Sequence, residues 1–323
     1  MLTPHTPSSR AFLFAAIALL SLSGCKRNHH TQMSLKSTSS LHPQATFTVK
    51  GHPDWMAIAP DAVWVTSSAA NVVSQLRASD NRTGATIAVD RPCSGLAIGF
   101  GSLWIPSCGQ HTLVRADLST GTIQATIPAG PASSEGGITT GAGSIWLMTD
   151  VSGKLSRIDP ATNTVVATIA TPSGSFCPLF ADGFVWLTST EHNALIKIDP
   201  STNRVALQIP VGKNPRFLTS GANSVWTLNQ GDGTITRVST KSGQRLADIA
   251  ANISGAGGEI SFGFGSVWAT VMKKPITRID ASNSTVTSQW TGVGGDSIRT
   301  GLGSVWLTSY KDGKIWRLSP NSL

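Results

Sequence analysis

The chain has 323 residues, 13% of them charged, with 32 glycines, 17 prolines and a net charge of +8. Few charges and many turn formers argue against a helical or disordered protein and for short strands joined by tight turns. The basic excess forms no Lys/Arg stripe and no aromatic platform, which argues against a nucleic-acid partner and leaves solubility or loose attraction to anionic envelope polymers.

In chain order, residues 11–22 form an apolar run behind Arg10. It is too short to span a bilayer and reads as the core of a secretion signal over residues 1–24. The run ends in Leu22-Ser23-Gly24-Cys25, which resembles the lipobox of bacterial lipoproteins. That resemblance implies loss of the signal and lipidation of Cys25, with acyl chains as the only membrane attachment. Lys26, in place of Asp, resembles the pattern of outer-membrane sorting, so the expected location is the periplasm, anchored to the outer membrane. Residues 25–43 are rich in Ser, Thr, His and Lys and read as a lipidated cysteine followed by a flexible tether.

From residue 44 to 320 a period dominates. Tryptophans recur at Trp64, Trp104, Trp146, Trp186, Trp226, Trp268 and Trp306, spaced 40, 42, 40, 40, 42 and 38 residues apart. Most follow a Gly-x-Gly-Ser pattern, as in Gly99-Phe100-Gly101-Ser102, whose glycines suit the positive φ of a hairpin. Each unit continues to a basic-apolar-acidic triplet, such as Arg157-Ile158-Asp159, and then a turn in which the carboxylate accepts a backbone N–H. A fourth strand follows. Four short strands in about 40 residues is the unit of a propeller blade.

The last unit stops at Ile315-Trp316-Arg317-Leu318 without a fourth strand, whereas Ala45-Thr46-Phe47-Thr48 precedes the first unit and looks like one. The expected fold is therefore all-β, a seven-bladed propeller closed by an N-terminal strand that completes the last blade, which removes the open sheet edge. These units resemble the YVTN-type repeats of bacterial surface propellers and are similar to the streptogramin lyase (virginiamycin B lyase) group over about residues 45–318. The resemblance implies fold more than function.

In a propeller the loops before the first strand and between the second and third strands converge on one channel mouth, the expected binding face. Aligned on the tryptophans, Asp54, Ser94, Glu135, Phe176, Arg216, Glu259 and Asp296 occupy equivalent positions about ten residues upstream. The second loop set adds Asn229, His111, His192 and Tyr310. Candidate ligand-binding residues are Asp54, Glu135, Arg216, Asn229, Glu259 and Asp296. Catalytic residues are not assigned.

The lyase resemblance implies a divalent metal with His and Glu side chains that open a cyclic depsipeptide by elimination. Here no histidine stands at the aligned positions, His52 lying two residues earlier than Asp54. Residues three beyond each tryptophan, Ser67, Ser107, Thr149, Ser189, Asn229, Val271 and Ser309, replace the lyase glutamate. Two readings stand. The first is a non-catalytic, lipid-anchored monomer that binds a small molecule or an envelope protein or polymer. The second is a metal-assisted lyase or hydrolase with Glu135, Glu259 and Asp296 around a cation such as Mg²⁺. Cys93 and Cys108 fall opposite each other on the first two strands of the second unit and are expected to form a disulfide in an oxidising envelope. That leaves Cys177 near the channel mouth, read as a buried thiol.

Overall fold

The computed structural model describes residues 1, 35–131 and 136–323. The signal, Cys25 and Glu135 lie outside the described residues. Seven four-stranded antiparallel sheets form the blades, over residues 56–88, 97–127, 138–170, 175–210, 215–250, 259–291 and 298–318. The last takes its fourth strand from Ala45–Thr48, which pairs antiparallel to Lys314–Leu318 with Phe47 opposite Ile315. Phe47 is 3% exposed and its ring lies 5.7 Å from that of Trp306. Among the described residues the only helical elements are four short 3-10 turns, and no helix is long and apolar enough to cross a membrane.

All seven periodic tryptophans are fully buried, between one sheet and the next. Six indole N–H groups donate to the backbone carbonyl five residues earlier, as Trp104 does to Gly99 at 3.1 Å and Trp306 to Gly301 at 3.1 Å. The glycines before them are required by packing as well as by turn geometry. A Cβ at Gly141 would sit 2.0 Å from the ring of Phe180 in the next blade.

The basic residue of each triplet performs two tasks. Arg115, Arg157, Lys197, Arg237, Arg278 and Arg317 lie 4.6 to 5.4 Å from the tryptophan ring of their own blade. Each also donates to a carbonyl of the following blade: Pro160, Pro200, Thr240, Ala281, Leu323 and Ala78, respectively. A cation held over an aromatic face and hydrogen-bonded across an interface joins neighbouring sheets that could not stand alone. The acidic residue closes the turn as expected. Asp159 accepts from Ala161 N–H at 2.8 Å, and Asp117 is held down to about 2 by Ser119 and Thr120.

Two features depart from the expected boundaries. Leu35–Ser37, placed within the flexible tether, is a strand parallel to Thr285–Thr291 and adds a fifth strand to the sixth blade. Lys36 covers Trp290 at 4.6 Å, and a 3-10 turn over Thr38–Ser40 leads on toward the closing strand. At the other end the structure continues past 320 through the turn Pro320–Ser322 to Leu323, which is buried against the sixth and seventh blades. Leu323 supplies the acceptor for Arg278 that a third-to-fourth-strand turn supplies elsewhere.

Candidate functional site

The first strands of the blades surround the axis, and an aromatic cluster fills it toward the loop end. The ring of Phe217 lies 5.7 Å from Trp55 and 5.8 Å edge-on to Phe176, so the first, fourth and fifth blades meet here. All three rings are less than 7% exposed. The guanidinium of Arg216 sits over Phe176 at 4.8 Å and over Phe217 at 5.7 Å. Its charge is thus carried on an apolar floor.

Above that floor is a cavity of about 310 Å³ lined by Asp54, Arg216, Glu259, Asp296, Met272 and Tyr310, with Trp55, Phe217, Ser297 and the Gly257-Gly258 backbone completing the wall. Four of the six nominated residues are therefore brought together, from the first, fifth, sixth and seventh blades. Glycine is needed at 258, where φ is +121° and a Cβ would stand 2.2 Å from the Thr270 carbonyl. A second hollow of about 230 Å³, between Met272 and the segment Gly292 to Gly295, shares Met272 and Tyr310 with the first. At the lip, His52 stacks on Tyr310 with ring centroids 4.9 Å apart and hydrogen-bonds its carbonyl.

Glu259 is 2% exposed. One of its oxygens accepts from the Ser297 hydroxyl and the Ile298 N–H, and the other pairs with the Arg299 guanidinium. Burial pushes the carboxyl up to about 7, overcoming the opposing pull of Arg299, Ser297 and Ile298. Asp296 accepts from Gly258 N–H at 3.2 Å and carries φ +132°, a conformation that side chains rarely adopt. Such strain persists only where the surroundings enforce it, and it clusters at functional sites.

The other nominated residues have different placements. Asn229 is a correction: it is fully buried, accepts from Thr227 and donates to Thr234 and Thr236, so it braces its own blade. Ser94 is fully buried and accepts from Gly136 and Gly137 N–H, joining the second blade to the third. His111 and His192 bond to Pro131 and Ser173, outside the cavity lining. Cys93 and Cys108 form the expected disulfide, with Cα atoms 5.7 Å apart. Burial pushes the Cys177 thiol up to about 12.

Two important residues escaped the sequence reading. Trp55 forms the floor but lies outside the 40-residue period. Arg299 stands seven residues before its tryptophan, where the other blades carry Ala57, Ala97, Thr139, Leu179, Thr219 and Ser261. That lone cation was the available signal.

A resident divalent metal does not fit the donors that the described residues supply. Both oxygens of Glu259 are engaged by protein, the lining of the described residues contains no imidazole, and among the described residues no group of three His, Cys, Asp or Glu side chains could hold an ion.

Solved structures with this architecture include a streptogramin B lyase at 23% identity and TM-score 0.71, covering 84% of this chain and 95% of that one. The chain has the fold of the streptogramin B lyases. Virginiamycin B lyase from Staphylococcus aureus matches at 20% identity and TM-score 0.69, over 85% of this chain and 98% of the other. A catalytically inactive form of it with quinupristin matches at 20% and 0.71, with the same coverage. The same fold serves unrelated chemistry, since hydrazine synthase from Kuenenia stuttgartiensis matches at 13% and 0.70, over 84% and 97%. No family model and no curated protein matches the sequence.

Proposed function

We propose that this chain is an exported, lipid-anchored propeller that binds a ligand or an envelope partner at the loop end of its channel and performs no chemistry on it. One observation carries the reading. Asp54, Arg216 and Asp296 line a single cavity over an aromatic floor, while Glu259, the carboxyl whose pKa best suits proton transfer, is engaged by Arg299, Ser297 and Ile298. Charges of both signs above buried rings suit recognition of a small polar molecule with an apolar face. The sequence Leu22-Ser23-Gly24-Cys25 supports acylation at Cys25 and residence in the periplasm on the outer membrane.

The fold shared with streptogramin B lyases favours a second reading, a metal-assisted lyase. Titrating Mg²⁺ into the purified protein while following the melting temperature separates the two. The binding reading predicts no saturable shift, and quinupristin recovered after incubation with its ring intact, told from the equal-mass elimination product by chromatographic retention and fragmentation. Saturable stabilisation that is lost in Glu259→Ala and Asp296→Ala, or ring-opened quinupristin, contradicts it. The anchor is tested by fractionation: Cys25→Ser should move the protein from the membrane pellet to the soluble fraction.

A further inference from the structure

The channel has a second, separate hollow at its hairpin end. Its volume is about 320 Å³, and first strands of the first, second, third and seventh blades line it. Its walls include Met56, Ile58, Leu96, Ile98 and Ile138, and Arg299 is its only charged lining residue among the described ones.

Arg299 is held from three directions. Its Nε donates to the Met56 carbonyl at 3.1 Å and one terminal nitrogen to the Ile260 carbonyl at 3.4 Å. The other terminal nitrogen pairs with Glu259. A guanidinium has five N–H donors, so these contacts leave donor capacity, and the side chain keeps 26% exposure. Glu259 lines the upper cavity and Arg299 the lower one, so this ion pair crosses the partition between them.

We propose that the hairpin end of the channel is a second binding site, for a small monocarboxylate with an apolar chain. A carboxylate matches the planar fork of Arg299, and its negative charge complements the one cation of the lining. The remaining lining, aliphatic apart from two threonines, favours a hydrocarbon tail over water. A second charge on the ligand would rest against apolar wall without a partner, and an uncharged headgroup would leave the guanidinium donors poorly matched. A ligand carboxylate also competes with Glu259 for Arg299. Occupancy below therefore loosens the side chain that faces the upper cavity, and the coupling is reciprocal.

Isothermal titration calorimetry with hexanoate and with 1-hexanol on the purified protein tests this. The expected result is saturable hexanoate binding, about tenfold or more tighter than 1-hexanol, and its loss in Arg299→Met. Because Arg299→Met strips Glu259 of its partner and can impair folding, Ile98→Glu is the second variant. It keeps both Arg299 and Glu259 and puts a fixed anion in the hollow, so it should abolish hexanoate binding in protein that circular dichroism shows to be folded. No saturable hexanoate heat, equal binding of the alcohol, or full binding by folded Ile98→Glu overturns the proposal.

Discussion

Arg317, in the last blade, donates to the Asn81 side chain of the first at 2.8 Å while its other contact, the Ala78 carbonyl, lies at 2.7 Å. The same guanidinium covers Trp306. Ring closure thus rests on a side-chain latch as well as on the shared strand. Arg317→Ala should lower unfolding stability by about 2 kcal/mol, the range for hydrogen bonds from a charged donor. Denaturant titration checks this, and Arg317→Lys should recover part of the loss.

The first blade is the irregular one. Trp64 has no hydrogen-bond partner for its indole nitrogen, and Gln75 stands where six other blades carry a cation. Gln75 instead accepts from Ala85 N–H within its own sheet, and the latch to the second blade is missing. Gln75→Arg would restore a donor aimed at the turn after Asp117. It should stabilise the protein by about 1 kcal/mol, seen as a higher melting temperature.

Strain at Asp296 is separable from its function. Glycine adopts a φ of +132° without penalty, whereas alanine keeps the strain and loses the carboxylate. Asp296→Gly should therefore be more stable than Asp296→Ala by about 1–2 kcal/mol, although both remove the same group from the cavity. Paired denaturation curves read that difference directly.

Glu259 sets a pH dependence opposite in sign to that of the turn aspartates. Its folded pKa of about 7 exceeds the ordinary 4.5, so the folded state binds the proton more tightly. The contribution of this group is greatest below about 4.5 and declines as pH rises to about 7. Asp117, lowered to about 2, acts in the other direction and loses its contribution as pH falls from the ordinary 3.8 toward 2. Glu259→Gln keeps this side chain neutral at every pH, so it should flatten the stability profile between pH 4.5 and 7 and, through this group, gain on the unsubstituted protein as pH rises across that range. Urea midpoints across that range test both effects.

The architecture was legible because the repeat acts on packing: tryptophans at a fixed period, glycines where the next blade crowds in, and a surplus strand around Phe47 matching a deficit at Leu318. The Cys93–Cys108 bridge followed from register across one hairpin. The site was legible only in part. Asp54, Arg216, Glu259 and Asp296 came from aligning one position, but whether a strand residue faces the channel or a neighbouring sheet depends on bulges that spacing does not reveal. Asn229, nominated from a loop, ends a strand whose ladder to Thr234 is unbroken, and its amide is taken up by Thr227, Thr234 and Thr236. Arg299 and Trp55 act through contacts between blades far apart in sequence, and Leu35–Ser37 is too short and polar to signal a strand without the edge it pairs with.

Ring closure depends most on the strand Ala45–Thr48. Deleting residues 45–48 from the full chain and recording thermal unfolding is its most direct test. A closed ring predicts a melting temperature lower by many degrees and a broadened transition, because the last blade loses a strand and Trp306 loses its cover. An unchanged, cooperative melting curve would contradict it.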